Sequence, residues 1–188
     1  ITNKVVMVTG AGGSIGSELC RQILLLNPQC IVMLEMSEYA LYEIDRELSN
    51  HSGIENIKII PILGSVTNGE RLNQIFNKFS VQTIYHAAAY KHVPMVEFNN
   101  SEGLINNTFG TLSCAEAAIE AGVTTFVLIS TDKAVRPTNI MGASKRLSEL
   151  VIQSLADHQS LTKFTIEFSK EEEPDLDINY YSATSYKN

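Results

Sequence analysis

The sequence has no tryptophan, few cysteines and no long apolar run. Its three cysteines, Cys20, Cys30 and Cys114, lie singly in apolar stretches without metal-ligand spacing. They predict buried thiols in a reducing compartment and exclude a disulfide framework. No run of about 18 apolar residues occurs, so we expect no membrane-spanning segment in this chain. We also expect no signal peptide, because the chain enters its first strand almost at once.

Positive charge is scarce as well. The 14 Lys and Arg residues against 21 Asp and Glu give a formal net charge of −7. This balance argues against a nucleic-acid partner and against a basic membrane-surface protein. The composition, 44% hydrophobic and 19% charged, is typical of a globular domain with a core. The chain begins with Ile1 rather than Met, so we expect it to be a piece of a longer protein.

Apolar runs alternate with amphipathic segments, a pattern that predicts an α/β fold with a doubly wound parallel sheet of Rossmann type. We predict a dinucleotide-binding domain over residues 1–163 and an atypical acidic and polar tail over 164–188, with at most a short strand at 164–168. Predicted strands cover 4–9, 30–34, 57–63, 83–87 and 125–130; predicted helices cover 14–26, 37–48, a short segment capped by Thr67 and Glu70, 102–121 and 141–157. On the last helix, Leu147, Leu150, Val151, Ser154 and Leu155 are predicted to face inward.

A glycine-rich loop follows the first strand and opens the first helix. In TGAGGSIG, Gly10, Gly13 and Gly16 have a spacing that suits a tight turn, close approach of a pyrophosphate and helix–strand contact. The alternative is an ordinary tight turn, but strand, loop and helix occur in the order that a phosphate site needs. The predicted cofactor contacts in the loop are Gly10, Gly12, Gly13, Ser14, Ile15 and Gly16.

Further cofactor contacts are predicted at the ends of the next two strands. Glu35 can accept hydrogen bonds from a ribose and would repel a 2′-phosphate, which favours NAD over NADP. The alternative is a solvated carboxylate near the dipole of the following helix. Ser37 can cap that helix and is counted with the cofactor residues, and Gly64, Ser65 and Val66 can contact the adenine ring.

Polar and charged side chains cluster after the fifth strand. Ser130, Thr131, Asp132 and Lys133 stand at its carboxyl end, where open α/β sheets bind ligands. Lys145 lies on the last helix at i+4 from Met141, on the same face. These groups can converge near a nicotinamide, or they form a surface salt-bridge cluster; the spacing alone leaves both readings open.

Five segments together form a family pattern. They are TGAGGSIG from Thr9, SEY from Ser37, HAAAYKHVPM from His86, NTFGT from Asn107 and STDKAVRPTNIMGASKR from Ser130. The chain carrying them resembles an extended short-chain dehydrogenase/reductase. It is most similar to the nucleotide-sugar 4,6-dehydratases of bacterial surface-polysaccharide synthesis, the CapD-like polysaccharide biosynthesis proteins.

The resemblance implies a UDP-N-acetylhexosamine (UDP-N-acetylglucosamine) 4,6-dehydratase, a lyase of capsule synthesis that uses NAD or NADP. The cofactor takes hydride from C4, a base removes the C5 proton, an acid expels the C6 hydroxyl, and hydride returns to C6. Carried over by motif, Lys133 would be the base, Asp132 the acid, and Lys145 the residue that holds the nicotinamide ribose. Thr131 or Ser130 would hydrogen-bond the sugar O4.

Other motif positions imply further contacts. Ala87, Ala88, Ala89 and Asn107 would contact the cofactor. Tyr90, Lys91 and His92 would face the sugar, or alternatively form a plain surface loop.

Met141 departs from the pattern of the superfamily. It stands where most members carry the tyrosine that deprotonates the oxidised hydroxyl, and a thioether is no useful proton acceptor. The membrane-tethered branch of the family resembles this chain in having Met there. The C4 base is therefore left unassigned.

Residues 164–188 do not resemble the sugar-binding continuation of the family, so we expect the C-terminal substrate region to be truncated in this chain. The expected partners are a nucleotide sugar and a second copy of the chain, in the cytoplasm, with the parent at the inner face of the membrane; no metal is expected. The rival functions are a nucleotide-sugar epimerase and an inactive cofactor-binding or interaction module.

Overall fold

A computed structural model describes residues 1–51, 56–158 and 164–169. Its core is one parallel sheet of six strands in the order β3-β2-β1-β4-β5-β6, the order of a dinucleotide-binding fold. The predicted doubly wound Rossmann fold is confirmed. The strands are β1 Val5–Thr9, β2 Cys30–Glu35, β3 Lys58–Leu63, β4 Thr83–His86, β5 Thr125–Thr131 and β6 Phe164–Ser169. The α-helices are α1 Ser14–Leu24, α2 Glu38–Ser49, α3 Gly69–Phe79, α4 Val93–Phe98, α5 Asn100–Leu104, α6 Gly110–Glu120 and α7 Ile140–His158.

Helices cover both faces of the sheet and create two apolar cores. Strands β1 and β2 are buried along their whole length because each face carries a helix layer. On one face, side chains of α1 and α2 pack on the sheet around Val8, Ile31 and Met33. On the other, side chains of α3, α6 and α7 pack around Met7, Val32 and Phe126. The strand ends are thereby held rigidly.

Strands β2 and β3 are added on one side of β1, and β4 to β6 are added on its other side, so the strand order reverses between β1 and β4. Strand β1 pairs with β2 on one side and with β4 on the other, both in parallel register. A crevice opens at the carboxyl ends of strands where the order reverses in this way. The loops that follow β1, β2, β4 and β5 meet there, and these are the loops that carry the predicted site residues.

The predicted start of α3 is wrong by one residue. Asn68, not Thr67, caps the helix, because its Oδ1 accepts the backbone N–H of Arg71 at 3.0 Å. The Thr67 hydroxyl instead lies 2.9 Å from Ser65 Oγ.

The predicted long helix over 102–121 is not a regular α-helix. It begins at Asn100 and contains a π turn, Ile105–Phe109, between α5 and α6. Within it the carbonyl of Asn107 accepts hydroxyl hydrogen bonds from Thr111 at 2.6 Å and Ser148 at 2.8 Å. Those hydroxyls stabilise a local geometry that apolar periodicity does not reveal. The helix stops before Gly122, whose φ of +72° confirms the predicted closure.

The predicted inward face of α7 is wrong for Leu147 and Leu150, which are each 44% exposed, and for the exposed Ser154. Leu155 packs against the core, as predicted. The buried side chains include Met141, Ser144, Lys145, Ser148, Glu149 and Ile152. Polar groups occupy several of these positions because the π turn and the end of β5 offer hydrogen-bond partners. Apolar spacing alone therefore identified only part of the buried face.

The predicted dinucleotide-binding domain ends at residue 163, but the sheet continues past that residue. Strand β6 pairs in parallel with β5, which matches the short strand that the sequence allowed at 164–168. The remainder of the predicted tail, 170–188, lies outside the described residues. Cys20, Cys30 and Cys114 are free and buried, as predicted. Within the described part of the chain, no helix is long and apolar enough to cross a bilayer.

Candidate cofactor and active site

The glycine-rich loop is shaped by close backbone contacts. Gly10 has a φ of +66°, and a Cβ there would lie 2.7 Å from the Cα of Ala88. A Cβ on Gly16 would collide with the carbonyl of Gly10, and one on Gly12 would lie 2.5 Å from Ala40 Cβ. Gly13 has more room, with its nearest neighbour at 3.3 Å. Three of the four predicted glycines are thus required by the loop itself.

The loop leaves the N-terminus of α1 open to a cavity. Gly13 is the N-cap residue, no side chain caps the helix, and no acidic residue stands in its first turn. Gly13, Ser14, Ile15 and Gly16 line a cavity of about 510 Å³. Uncapped N–H groups and the helix dipole at such a place favour an anion. The residues present therefore fit the pyrophosphate of a dinucleotide.

Glu35 connects this loop to the end of β2. Its Oε2 accepts the N–H of Gly12 at 3.1 Å, and its Oε1 accepts those of Met36 at 2.9 Å and Ser37 at 3.0 Å. The side chain is 9% exposed, so it is not the solvated carboxylate of the alternative reading. A carboxylate has about four lone-pair sites, which leaves acceptor capacity for a ribose hydroxyl.

The remaining predicted nucleotide contacts lie around one cavity of about 390 Å³. Ser37 caps α2, with its Oγ accepting the N–H of Ala40. The predicted residues that line this cavity are Gly10, Gly12, Gly13, Glu35, Ser37, Gly64, Ser65, Val66, Ala87, Ala88 and Ala89. The structure thus brings together the loops after β1, β2, β3 and β4, as a ribose and an adenine would require.

Asn107 reaches the site through the backbone of Tyr90. Its Oδ1 accepts the Tyr90 N–H at 2.7 Å, and its Nδ2 donates to the Tyr90 carbonyl at 3.0 Å and to Ser144 Oγ at 3.0 Å. The residue is 1% exposed. The side chain therefore holds the loop after β4 in place behind the cavities.

The loop after β4 does not present all three of its predicted sugar contacts in the same way. Tyr90, Lys91 and His92 line the 510 Å³ cavity. However, Lys91 Nζ lies 3.3 Å from Ser14 Oγ, at the N-terminus of α1. The Tyr90 hydroxyl points to the other side, 3.8 Å from the sulfur of Met36. Lys91 is thus placed beside the phosphate loop.

A narrow cleft at the end of β5 is lined by three of the predicted catalytic residues, Thr131, Met141 and Lys145, whereas Asp132 and Lys133 do not line it. Ser130, Thr131, Met141 and Lys145 line it together with Ile15 and the loop after β4. Asp132 and Lys133 follow at once in a single 3₁₀ turn, Asp132–Ala134. Thr131 Oγ1 donates to Asp132 Oδ1 at 3.2 Å and accepts the N–H of Lys133 at 3.4 Å. Asp132 is exposed at the margin of the crevice.

Lys145 is buried at this cleft, with 6% of its surface exposed. Its Nζ donates to the carbonyl of Ile129 at 2.6 Å. Burial lowers the pKa of the ammonium to about 8, and the nearby Glu149 carboxylate acts in the opposite direction. A lysine in this state can donate its other N–H groups to a ligand and carries most of its positive charge at neutral pH.

Two buried polar residues of the site were missed by the sequence analysis. Glu149, four residues after Lys145 on α7, accepts the Ser130 hydroxyl and an Arg146 N–H. His86 lies between Thr9 Oγ1, 2.8 Å from its Nδ1, and Thr111 Oγ1, 3.1 Å from its Nε2. Because the Thr111 hydroxyl donates to Asn107, Nε2 of His86 carries the proton. The i+4 spacing was a signal for Glu149, and the place of His86 at the start of the HAAAYKHVPM segment was a signal for that residue.

The described residues contain no cluster of potential metal ligands. Nowhere among residues 1–51, 56–158 and 164–169 do three or more His, Cys, Asp or Glu side chains stand close enough to share an ion.

Comparison with known proteins shows the family. Residues 6–169 match the family described as polysaccharide biosynthesis protein. Over 164 residues, the chain is 49% identical to the capsular polysaccharide biosynthesis protein CapD of Staphylococcus aureus. That alignment covers 87% of this chain and 27% of CapD, so the chain spans little more than a quarter of that relative.

Solved structures share the fold. Pen from Bacillus thuringiensis superposes with a TM-score of 0.79 at 29% identity, covering 89% of this chain and 50% of Pen. DesIV from Streptomyces venezuelae, a dTDP-glucose 4,6-dehydratase, does so with a TM-score of 0.75 at 24% identity, covering 87% of this chain and 55% of DesIV. The chain therefore belongs to the polysaccharide biosynthesis protein family and has the fold of short-chain dehydrogenase/reductase-type dehydratases and epimerases.

Proposed function

We propose that this chain is the cofactor-binding and catalytic part of a UDP-N-acetylhexosamine 4,6-dehydratase for bacterial surface polysaccharide. The observation that carries the proposal is the cleft at the end of β5, which Thr131 and Lys145 line beside Ile15 of the phosphate loop, with Asp132 and Lys133 in the turn that follows at once. The name of CapD supports the pathway. The activity of DesIV, solved with NAD bound, supports the reaction and the cofactor.

When bound, a nicotinamide cofactor would supply the reversible hydride transfer that this reaction needs at C4 and C6 of the sugar. The 4-ketone formed in between acidifies the C5 proton, which Lys133 removes as base. Asp132 donates a proton to the C6 hydroxyl, which leaves as water. Asp132 is exposed and Lys133 is half-buried in the turn after β5, from which both side chains can reach a sugar bound at the crevice.

Lys145 acts as a fixed positive charge and hydrogen-bond donor. One N–H is committed to the carbonyl of Ile129, which leaves two for the ribose of the nicotinamide. Met141, 2% exposed on the same face, contributes shape but no proton acceptor.

Thr131, rather than Ser130, is the hydroxyl that we assign to the sugar O4. The Ser130 hydroxyl donates to Glu149 at 2.5 Å and is almost fully buried. Thr131 Oγ1 makes only longer contacts, at 3.2 and 3.4 Å, within its own turn, so a substrate oxygen can displace them at little cost.

We assign NAD as the cofactor because the Glu35 carboxylate at the end of β2 can accept a ribose hydroxyl and would repel a 2′-phosphate. We place the reaction in the cytoplasm, since the three free thiols suit a reducing compartment. We also propose a homo-oligomer through the exposed apolar side chains of Ile105, Phe109, Leu147 and Leu150 on the π turn and α7.

The test uses the parent-length protein, because the chain covers only 27% of CapD. Incubation with UDP-N-acetylglucosamine is expected to give a 4-keto-6-deoxy product lighter by one water. The variant Asp132→Asn should bind the cofactor and make no product, whereas Asp45→Asn, on α2, should behave as wild type. A product of unchanged mass would show an epimerase instead. Cofactor binding without any product from the wild type would show a binding module.

A further inference from the structure

Helix α7 buries a carboxylate that the proposed reaction does not use. Glu149 is 2% exposed. Its Oε1 accepts the hydroxyl of Ser130 at 2.5 Å, and its Oε2 accepts Nη1 of Arg146 at 2.8 Å. A buried charge lowers stability unless it is paired and hydrogen-bonded. Arg146 is itself 43% exposed, so the salt bridge alone does not explain why the carboxylate lies inside.

The position of Glu149 relates it directly to Lys145. The two residues are four apart on one helix and therefore lie on the same face. Lys145 Nζ donates to the carbonyl of Ile129, and Glu149 accepts the side chain of Ser130, the next residue of β5. The two buried charges thus hold consecutive residues of the strand that ends in the catalytic turn.

The electrostatic relation has a definite sign. Burial lowers the pKa of Lys145, and the negative charge of Glu149 raises it. Met141 contributes no charge at the position four residues before the lysine. The charge of Glu149 therefore favours the ammonium form of Lys145 in its desolvated place.

Other titratable groups interact with Lys145 or lie on elements that pack against α7. His86, on β4, stays neutral because burial and the Lys145 charge lower its pKa to about 3. Asp132 and Lys133 lie in the turn after β5. Glu97, on α4, accepts the N–H of Ile140 at the start of α7. Arg146 lies on the other oxygen of Glu149 and weakens its field.

We propose that Glu149 is a positioning residue of the cofactor site, which keeps the Lys145 ammonium charged and holds the Ser130 hydroxyl away from the ligand. The role deepens the proposed function, because it rests on Lys145 holding the nicotinamide ribose. The geometry gives Glu149 two tasks: its charge, one helical turn from the lysine, favours the ammonium form, and its hydrogen bond to Ser130 leaves Thr131 as the hydroxyl that meets the substrate.

The first experiment measures Lys145 directly in the ligand-free chain, by the pH dependence of its side-chain NMR signals. We expect a midpoint near pH 8 in the wild type. In Glu149→Gln, which keeps the shape and an oxygen for Ser130, the midpoint should fall by about one pH unit or more. In Arg146→Gln it should rise, since the field of Glu149 is then less compensated. Glu116→Gln, on the exposed side of α6, should leave it unchanged.

The second experiment measures NAD binding by calorimetry. At pH 8, Glu149→Gln should bind roughly fivefold more weakly than the wild type, because little of its Lys145 is charged. At pH 6.5 the deficit should largely disappear. A purely structural role would weaken binding equally at both pH values.

An unmoved Lys145 midpoint in Glu149→Gln overturns the proposal, and so does a fall in Arg146→Gln. If Glu149→Gln does not fold, Glu149→Asp decides: its shorter side chain draws the carboxylate back and should lower the Lys145 midpoint, and an unmoved midpoint overturns the proposal. A failure of the dehydratase assignment leaves the titration untouched, because it uses no substrate.

Discussion

The two ends of the crevice differ in the groups that form them: mainly backbone at the nucleotide end and mainly side chains at the catalytic end. At the nucleotide end, backbone groups do most of the work: the glycine loop, the start of α1, and a carboxylate that accepts three backbone N–H groups. At the catalytic end, buried side chains of β5, the π turn and α7 hold one another, with Ser148 bonded to Asn107 from 41 residues away. The first end is encoded by a short segment of sequence, whereas the second requires the whole fold.

Because backbone contacts form the nucleotide end, we expect a single added Cβ at a tightly packed glycine of the loop to destabilise the chain strongly. Gly10→Ala should lower the free energy of unfolding by more than about 2 kcal/mol, because it combines a φ of +66° with a clash against the Ala88 backbone. Urea unfolding measures this. The matched variant Gly13→Ala, at a site with more room, should change stability by less than about 1 kcal/mol. Equal losses in the two variants would contradict the account of the loop.

The catalytic end should lose chemistry without losing its fold. In the parent-length protein, Lys133→Met should reduce kcat by about 10²-fold or more, as expected for loss of a general base, while the NAD affinity stays within about twofold because the turn does not line the nucleotide cavity. Steady-state kinetics and calorimetry measure the two quantities. Lys78→Met, at an exposed position of α3, is the control and should retain activity. A weakened NAD affinity with unchanged kcat would assign Lys133 to the cofactor instead.

The nucleotide end and the catalytic end also differ in how much of each can be predicted from the sequence. The strands of a parallel sheet, the glycine loop, Glu35 and the cluster after β5 could be placed from local patterns. The buried face of α7 could not, since its polar residues are stabilised by partners on the π turn and β5. The π turn itself depends on the hydroxyls of Thr111 and Ser148, and the environment of His86 on three separate elements.

The network at the catalytic end should also make stability depend on pH. His86 has a pKa near 3 in the folded chain, below its ordinary value of 6.5. The unfolded state thus binds more protons between these values, and the free energy of unfolding should fall as the pH drops from 6.5 toward 3, by at most about 1.4 kcal/mol per pH unit. In His86→Gln, urea unfolding should show a flatter dependence. An equally steep dependence would show that other groups cause it.

The smallest effect is expected where a side chain helps the backbone at the nucleotide end. Lys91→Gln should weaken NAD binding about two- to fivefold at low salt, because an exposed ammonium near a pyrophosphate adds a modest, screened attraction. The deficit should shrink as salt is raised. A larger loss for the sugar nucleotide than for NAD would return Lys91 to the substrate site.

The most direct test asks whether the cofactor site and the pair Asp132 and Lys133 act together in one dehydration. It follows the hydrogen at C4 of the sugar. UDP-N-acetylglucosamine deuterated at C4 is incubated with the parent-length protein and NAD, and the product is analysed by mass and NMR. The account predicts that one water is lost and the deuterium appears at C6. Deuterium that stays at C4 in a product of unchanged formula would contradict it.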